Sequence, residues 1–303
     1  MSRVEVAGAE AAIDAPDSPS IRPTASRPGQ AARPRVSGRL LRSELAMVFR
    51  RRRNIALLVA LGLIPVLIGI AVKVSGHSGR GGSIFGGITD NGLFAALAAY
   101  LVVIPLFLPL GVAVVAGDAV AGEASLGTLR YLLAVPVGRT RLLAVKFAGV
   151  LAWCLASVAV VGLGGVAVGA ILFPSGRLTL LSGRSISYAS GGARLLLIAA
   201  FVTAAMAMVA ALGLFISTLT EVPVAAMAAT LVMTIVSEVL DQVPQLSRIH
   251  PWLPSHYWLQ WIDLLRDPML TSGVWHGLLV TLGYVAVLVS LAWARFSGKD
   301  VTS

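Results

Sequence analysis

Charge is scarce in this chain: 13% of its 303 residues are charged against 57% hydrophobic, and the mean hydropathy is +0.85. A soluble domain carries about 25% charge, so the composition excludes that class and points to a protein with several membrane spans. Cysteine is nearly absent. Cys154 stands alone inside an apolar run, which rules out an intrachain disulfide and a cysteine metal cluster and leaves packing as its role. Lysine is confined to Lys73, Lys146 and Lys299, so the 24 basic residues are almost all arginine. No Gly-x-x-x-x-Gly-Lys-[Ser/Thr] loop occurs, so any ATP and its Mg must be bound by a partner chain, with no cofactor expected in this one. Ionisable groups are almost missing from the interior of the apolar runs, which counts against the ion and proton pathways of secondary transporters and channels, the alternative class.

The net charge of +10 would suggest nucleic acid in a soluble protein, but here its placement sets topology, and no nucleic-acid partner is expected. Residues 1–37 carry five prolines and no apolar run, and read as a disordered cytoplasmic tail. Residues 38–53 alternate Leu40, Leu41, Leu45 and Val48 with Arg39, Arg42 and Arg50, as a helix lying along the inner leaflet does. Six apolar stretches follow, at about 54–72, 93–116, 147–173, 195–219, 222–240 and 274–296. Each is near or above the ~20 residues that cross ~30 Å of hydrocarbon. The fold class is therefore all-α and polytopic. With the N-terminus inside, seventeen of the 24 Lys and Arg fall on the cytoplasmic side, eleven of them by Arg53, and seven outside. The positive-inside rule then places both termini in the cytoplasm. Trp252, Trp258, Trp261 and Trp275 fall at the outer boundary and Trp153 and Trp293 at the inner one, where headgroup anchors belong.

The connection at 117–146, between the second and third spans, concentrates charge and helix punctuation. It reads as a short helix opened by acidic residues, stopped at Pro136 and followed by Arg139, Arg141 and Lys146 facing anionic headgroups. As exposed charges, Glu123 and Arg130 would each contribute under about 1 kcal/mol to the fold. On the other side, residues 244–268 read as an external insertion. In it Ser255 caps an amphipathic helix with Tyr257, Trp258, Trp261, Leu264 and Leu265 on one face. His77, His250, His256 and His276 all lie on or near that side but lack the paired spacing of a metal motif, and read as interface histidines. The Ser75 to Gly79 loop sets a serine near His77 with no acid to orient it, so it gives no hydrolase triad. Glu238 reads as a carboxylate snorkelling to the outer interface, and Glu221 with Pro223 as ordinary helix-start residues.

With these elements in order, the chain resembles the ABC-2 family of transporter permeases over roughly residues 38–296. The matching residues are Gly122-Glu123, Gly127-Thr128-Leu129-Arg130, Leu132-Leu133, Pro136, Arg139, Leu142-Leu143 and Lys146, and then His250-Pro251, Leu253-Pro254, His256-Tyr257-Trp258 and Arg266-Asp267-Pro268. The resemblance implies the membrane subunit of an ATP-driven exporter in a bacterial cell membrane, a homo- or heterodimer of permeases working with a separate cytoplasmic ATPase. It implies an ATPase-coupling element containing Glu123, Gly127, Thr128, Arg130, Pro136 and Arg139. It further implies a re-entrant external element containing His250, Trp258 and Trp261.

Overall fold

Hydrocarbon offers no partner to a backbone amide, so each apolar run must close its hydrogen bonds within itself, and the computed structural model of the chain is correspondingly almost all helix. It describes residues 38–75, 91–127 and 138–298, except 175, 177 and 181. The tail read as disordered, with His77, Thr128, Arg130 and Pro136, lies outside the described residues. The helices are α1 (Gly38–Arg50), α2 (Arg52–Ser75), α3 (Leu93–Val103), α4 (Phe107–Ser125), α5 (Arg139–Leu172), α6 (Tyr188–Leu219), α7 (Pro223–Asp241) and α8 (Ser272–Ser297). A two-residue hairpin, β1 (Leu178–Thr179) with β2 (Ser185–Ile186), joins α5 to α6. Six of the described helices, α2 and α4 to α8, are long and apolar enough to cross a membrane, so this is a multi-pass membrane protein.

The second span departs from its expected bounds of 93–116. Pro105 and Pro109 each lack an amide donor, and the helix breaks at 104–106 into α3 and α4. At 11 residues α3 is too short to cross, and α4 makes the crossing and runs on to Ser125. The alanines of α3 (Ala95, Ala96, Ala98, Ala99) are fully buried, because a small side chain lets neighbouring helices approach on every side. Against it lies the Gly162, Gly165, Gly169 row of α5, one residue per turn, and the Tyr100 hydroxyl donates to the Val158 carbonyl at 2.9 Å. Gly111 of α4 makes room for Trp153, which is fully buried and thus a core residue, not the inner headgroup anchor expected. Cys154 is buried beside it, as its apolar surroundings require.

The helix ends sort into two groups. At one end the starts of α2, α5 and α7 meet the ends of α4, α6 and α8: Arg53 pairs with Asp118, Ser217 bonds to α4, and Arg139 reaches Ser297. Helix α1 joins the same end through Glu44. At the other end Lys73 donates to the Leu172 carbonyl, and Arg194 to the carbonyls of Leu264 and Arg266. Alternating connections in a six-span bundle demand this division, with α1 and the end of α8 on one side.

The segment before α8 differs from the amphipathic helix expected there. Four short 3-10 turns, Pro244–Leu246, His250–Trp252, Pro254–Tyr257 and Gln260–Leu265, replace it. Pro244 and Pro254 open the first and third turns, Pro251 is the second residue of the second, and all three lack the donors a continuous helix needs. Ser255 makes no cap and instead bonds Ser237 of α7 at 2.8 Å. Trp258 and Trp261 are buried against the bundle, while Trp252, Trp275 and Trp293 remain exposed. Glu238 is half-buried with its Oε2 enclosed.

Candidate coupling site

Helix α1 is amphipathic with one exception, and the exception builds the site. Leu41, Glu44 and Val48 stand at helical spacing on one face, so an acid sits inside the apolar stripe; Glu44 and Val48 are buried against α5, and Arg39, Arg42 and Arg50 are exposed on the opposite side. Helix α5 carries the complementary exception. Lys146 lies between buried Leu142, Leu143 and Val150 and is itself only 1% exposed. Its ammonium donates to Glu123 Oε1 at 2.6 Å and to Glu44 Oε1 at 3.4 Å, joining α1, α4 and α5. Gly149 permits the approach, since a Cβ there would stand 3.2 Å from Glu44 Cγ.

Alongside, Asp118 of α4 accepts from Arg51 and, at 3.0 Å, from Arg53, at the junction of α1 and α2. Asn54 closes that junction by donating to the Val48 carbonyl at 2.8 Å. Three carboxylates thus face three cations, and the charges cancel. Glu123 lies in the last turn of α4, where the helix dipole disfavours negative charge, and the Lys146 ammonium offsets that cost. The expected acid-opened helix is therefore the tail of a spanning helix.

Two further features hold the end of α4. The Ser217 hydroxyl accepts from the amides of Val120 and Ala121 at 3.0 and 2.8 Å and donates to the Gly117 carbonyl at 2.7 Å, fastening α6 to α4 with one side chain. Gly127 then stops α4 with φ of 67°, a left-handed conformation that glycine adopts without strain. Gly138 precedes α5, and Arg139 donates to the Ser297 carbonyl at 2.5 Å, near the last turn of α8.

Among the expected coupling residues, Glu123, Gly127 and Arg139 come together at this end, and Thr128, Arg130 and Pro136 lie outside the described residues. Glu123 departs from the exposed charge expected, because it is buried and paired, and the small energy assigned to a surface charge does not apply to it. Lys146 likewise faces carboxylates and not headgroups. The expected external residues His250, Trp258 and Trp261 lie at the opposite end. Glu44, Asp118, Ser217 and the pairing role of Lys146 escaped sequence reasoning, although an acid in the apolar stripe of α1 and a lysine in that of α5 were the available signals.

Residues 82–302, most of the chain, match the family described as protein of unknown function (DUF2705). No curated protein matches the sequence.

Proposed function

The chain belongs to the DUF2705 family, and we propose that it is the permease subunit of an ATP-driven exporter, coupled to a separate cytoplasmic ATPase. The observation that carries this reading is the buried cluster of Glu44, Glu123 and Lys146, which ties an interfacial helix to both flanks of the 126–138 connection. A partner that moves this connection moves α1, α4 and α5 together. Pulling the three apart strands charges in an apolar setting, so the cluster resists separation. Glu123 thus positions the connection, and Gly127 with residues 128–137 meets the ATPase.

The charge pattern supports the same reading. The buried charged residues among those described are Glu44, Asp118, Glu123 and Lys146, all gathered at this end, so the midplane offers no described ionisable relay. An apolar cavity of about 260 Å³ opens between α6, α7 and α8 beside Trp258 and suits a hydrophobic or amphipathic substrate. The coupling end faces the cytoplasm of a bacterial cell, with both termini inside. Outward apolar faces on α2, α7 and α8 meet lipid or a second permease.

Affinity purification of the full chain from its native membrane should bring down a soluble ATP-binding subunit, and the reconstituted complex should show substrate-stimulated ATP hydrolysis and ATP-dependent vesicle transport. Arg130→Ala should lower both at least tenfold while leaving the thermal transition of the permease unchanged. Full-rate transport by the permease alone, without ATP or partner, would replace this reading with a secondary transporter.

Orientation has its own test. In a Cys154→Ala background, cysteines at Arg184 and Ser247 should react with an impermeant maleimide added outside intact cells, and one at Ser125 should react only after permeabilisation. Labelling at Ser125 in intact cells inverts the assigned topology.

A further inference from the structure

Three ligand-type side chains converge at the end of the bundle remote from the coupling site. Asp241 is the last residue of α7, His250 opens one 3-10 turn and His256 lies in the next. His256 Nδ1 stands 2.7 Å from Asp241 Oδ1, and His250 Nδ1 4.0 Å from the same oxygen. One donor atom from each residue lies within 4.8 Å of the other two, and the two imidazoles are 5.9 Å apart. All three side chains are partly buried, and half-buried Glu238 stands one turn before Asp241 on α7.

The surroundings fix these groups. The Val243 carbonyl lies 3.1 Å from His250 Nε2 and can only accept from it, so in the neutral ring Nδ1 carries the lone pair, 4.0 Å from Asp241 Oδ1. A carbonyl on the far ring nitrogen is how proteins set the tautomer of a metal-bound histidine. The His256 ring is held edge-on to Tyr257 at 4.9 Å, and the neighbouring Ser255 is tied to Ser237 of α7. All three donors therefore sit on backbone anchored to one helix end. Sequence spacing hid the cluster, because 241, 250 and 256 fit no common ligand motif.

We propose that Asp241, His250 and His256 form a binding site for a divalent transition ion of the Zn²⁺ class, with water in the fourth position. Two imidazole nitrogens and one carboxylate suit such an ion, whereas Mg²⁺ and Ca²⁺ require oxygen ligands throughout. Bonds of about 2.0–2.1 Å in a tetrahedron put neighbouring ligand atoms about 3.3 Å apart. The two donors stand 2.7 and 4.0 Å from Asp241 Oδ1, on either side of that value, and all three ligand atoms lie within 4.8 Å of one another. On binding, the hydrogen bond between His256 and Asp241 gives way to two metal bonds, and the His256 proton moves to Nε2 or to solvent. The ion then staples the end of α7 to the 244–257 segment. This inference does not depend on the coupling proposal.

The test uses the full chain, without a histidine tag, purified in detergent and stripped with EDTA. Calorimetric titration with ZnCl₂ should give one ion per chain and a raised thermal transition, and CoCl₂ should give the visible absorption of tetrahedral Co²⁺. Asp241→Asn, His250→Gln and His256→Gln should each weaken binding by more than the roughly 10- to 100-fold that losing an outer-shell partner typically costs, since each removes a direct ligand. His276→Gln, outside the cluster, should leave it unchanged. The metal-free thermal transition of each variant separates lost binding from lost folding. For any variant that fails to fold, the wild-type chain gives the answer, since a proton competes with the ion for each imidazole nitrogen and acidification must weaken binding. Absent Zn²⁺ binding, or binding indifferent to all three substitutions or to acidification, would overturn the site.

Discussion

Lys146→Ala is expected to destabilise the folded chain by roughly 3–5 kcal/mol, because it leaves Glu123 and Glu44 facing each other in a buried setting with their shared cation gone. The sign follows from the asymmetry of buried pairs: the intact pair adds little beyond its own desolvation, but one partner alone retains the full penalty. Neutralising the carboxylates as well should recover most of the loss, so Lys146→Met combined with Glu44→Gln and Glu123→Gln should unfold well above Lys146→Ala. Thermal unfolding of the purified protein in detergent, followed by tryptophan fluorescence, reads both. A Lys146→Ala transition within error of wild type would show that the cluster does not hold the three helices together. Glu123→Ala should also be destabilising, in contrast to the near-neutral effect of removing an exposed acid.

Gly169→Leu is expected to be as damaging for a steric reason. A Cβ at Gly169 would collide with the carbonyl oxygen of Gly92, and a backbone atom cannot rotate away as a side chain can. Overpacking typically costs 1–3 kcal/mol where side chains can yield, so this contact should lie at or above the upper part of that range. Separation of α3 from α5 would also strain the Tyr100 bond to Val158 and the Asn91 bond to the Gly176 carbonyl, both of which depend on their closeness. Gly283→Ala supplies the control, since a Cβ there meets nothing within 4 Å and lies on an outward face of α8. Size-exclusion profiles and thermal transitions should be unchanged for Gly283→Ala and collapsed for Gly169→Leu. Equal behaviour of the two would remove the close helix approach as a source of stability.

Most of the architecture was legible in the sequence, because hydropathy is a local property and the bilayer reads it locally. The six spans and the first-turn proline of α7 follow from runs of side chains and the length of a helix that crosses hydrocarbon. The lack of a phosphate-binding loop is equally a matter of sequence. The exceptions were local too: the break at 104–106 has its two prolines in plain view, but the unbroken hydropathy across 93–116 masks them.

What only the tertiary structure decided is which polar groups face one another. Glu44 and Lys146 are 102 residues apart, and no pattern within either helix specifies the other. The same holds for Asp241 with His256 and for Ser217 with the amides of α4. Charge near the end of a span reads in sequence as an exposed topology signal, since most such charges do face headgroups. For Glu123 and Lys146 the packing of α1 across α4 and α5 turned them inward, and burial made a buried ion pair out of two apparent surface charges. Trp153, Trp258 and Trp261 followed the same course, because an indole is amphipathic enough for the interface and large enough for the core, and only the neighbouring glycines and helices decide between them.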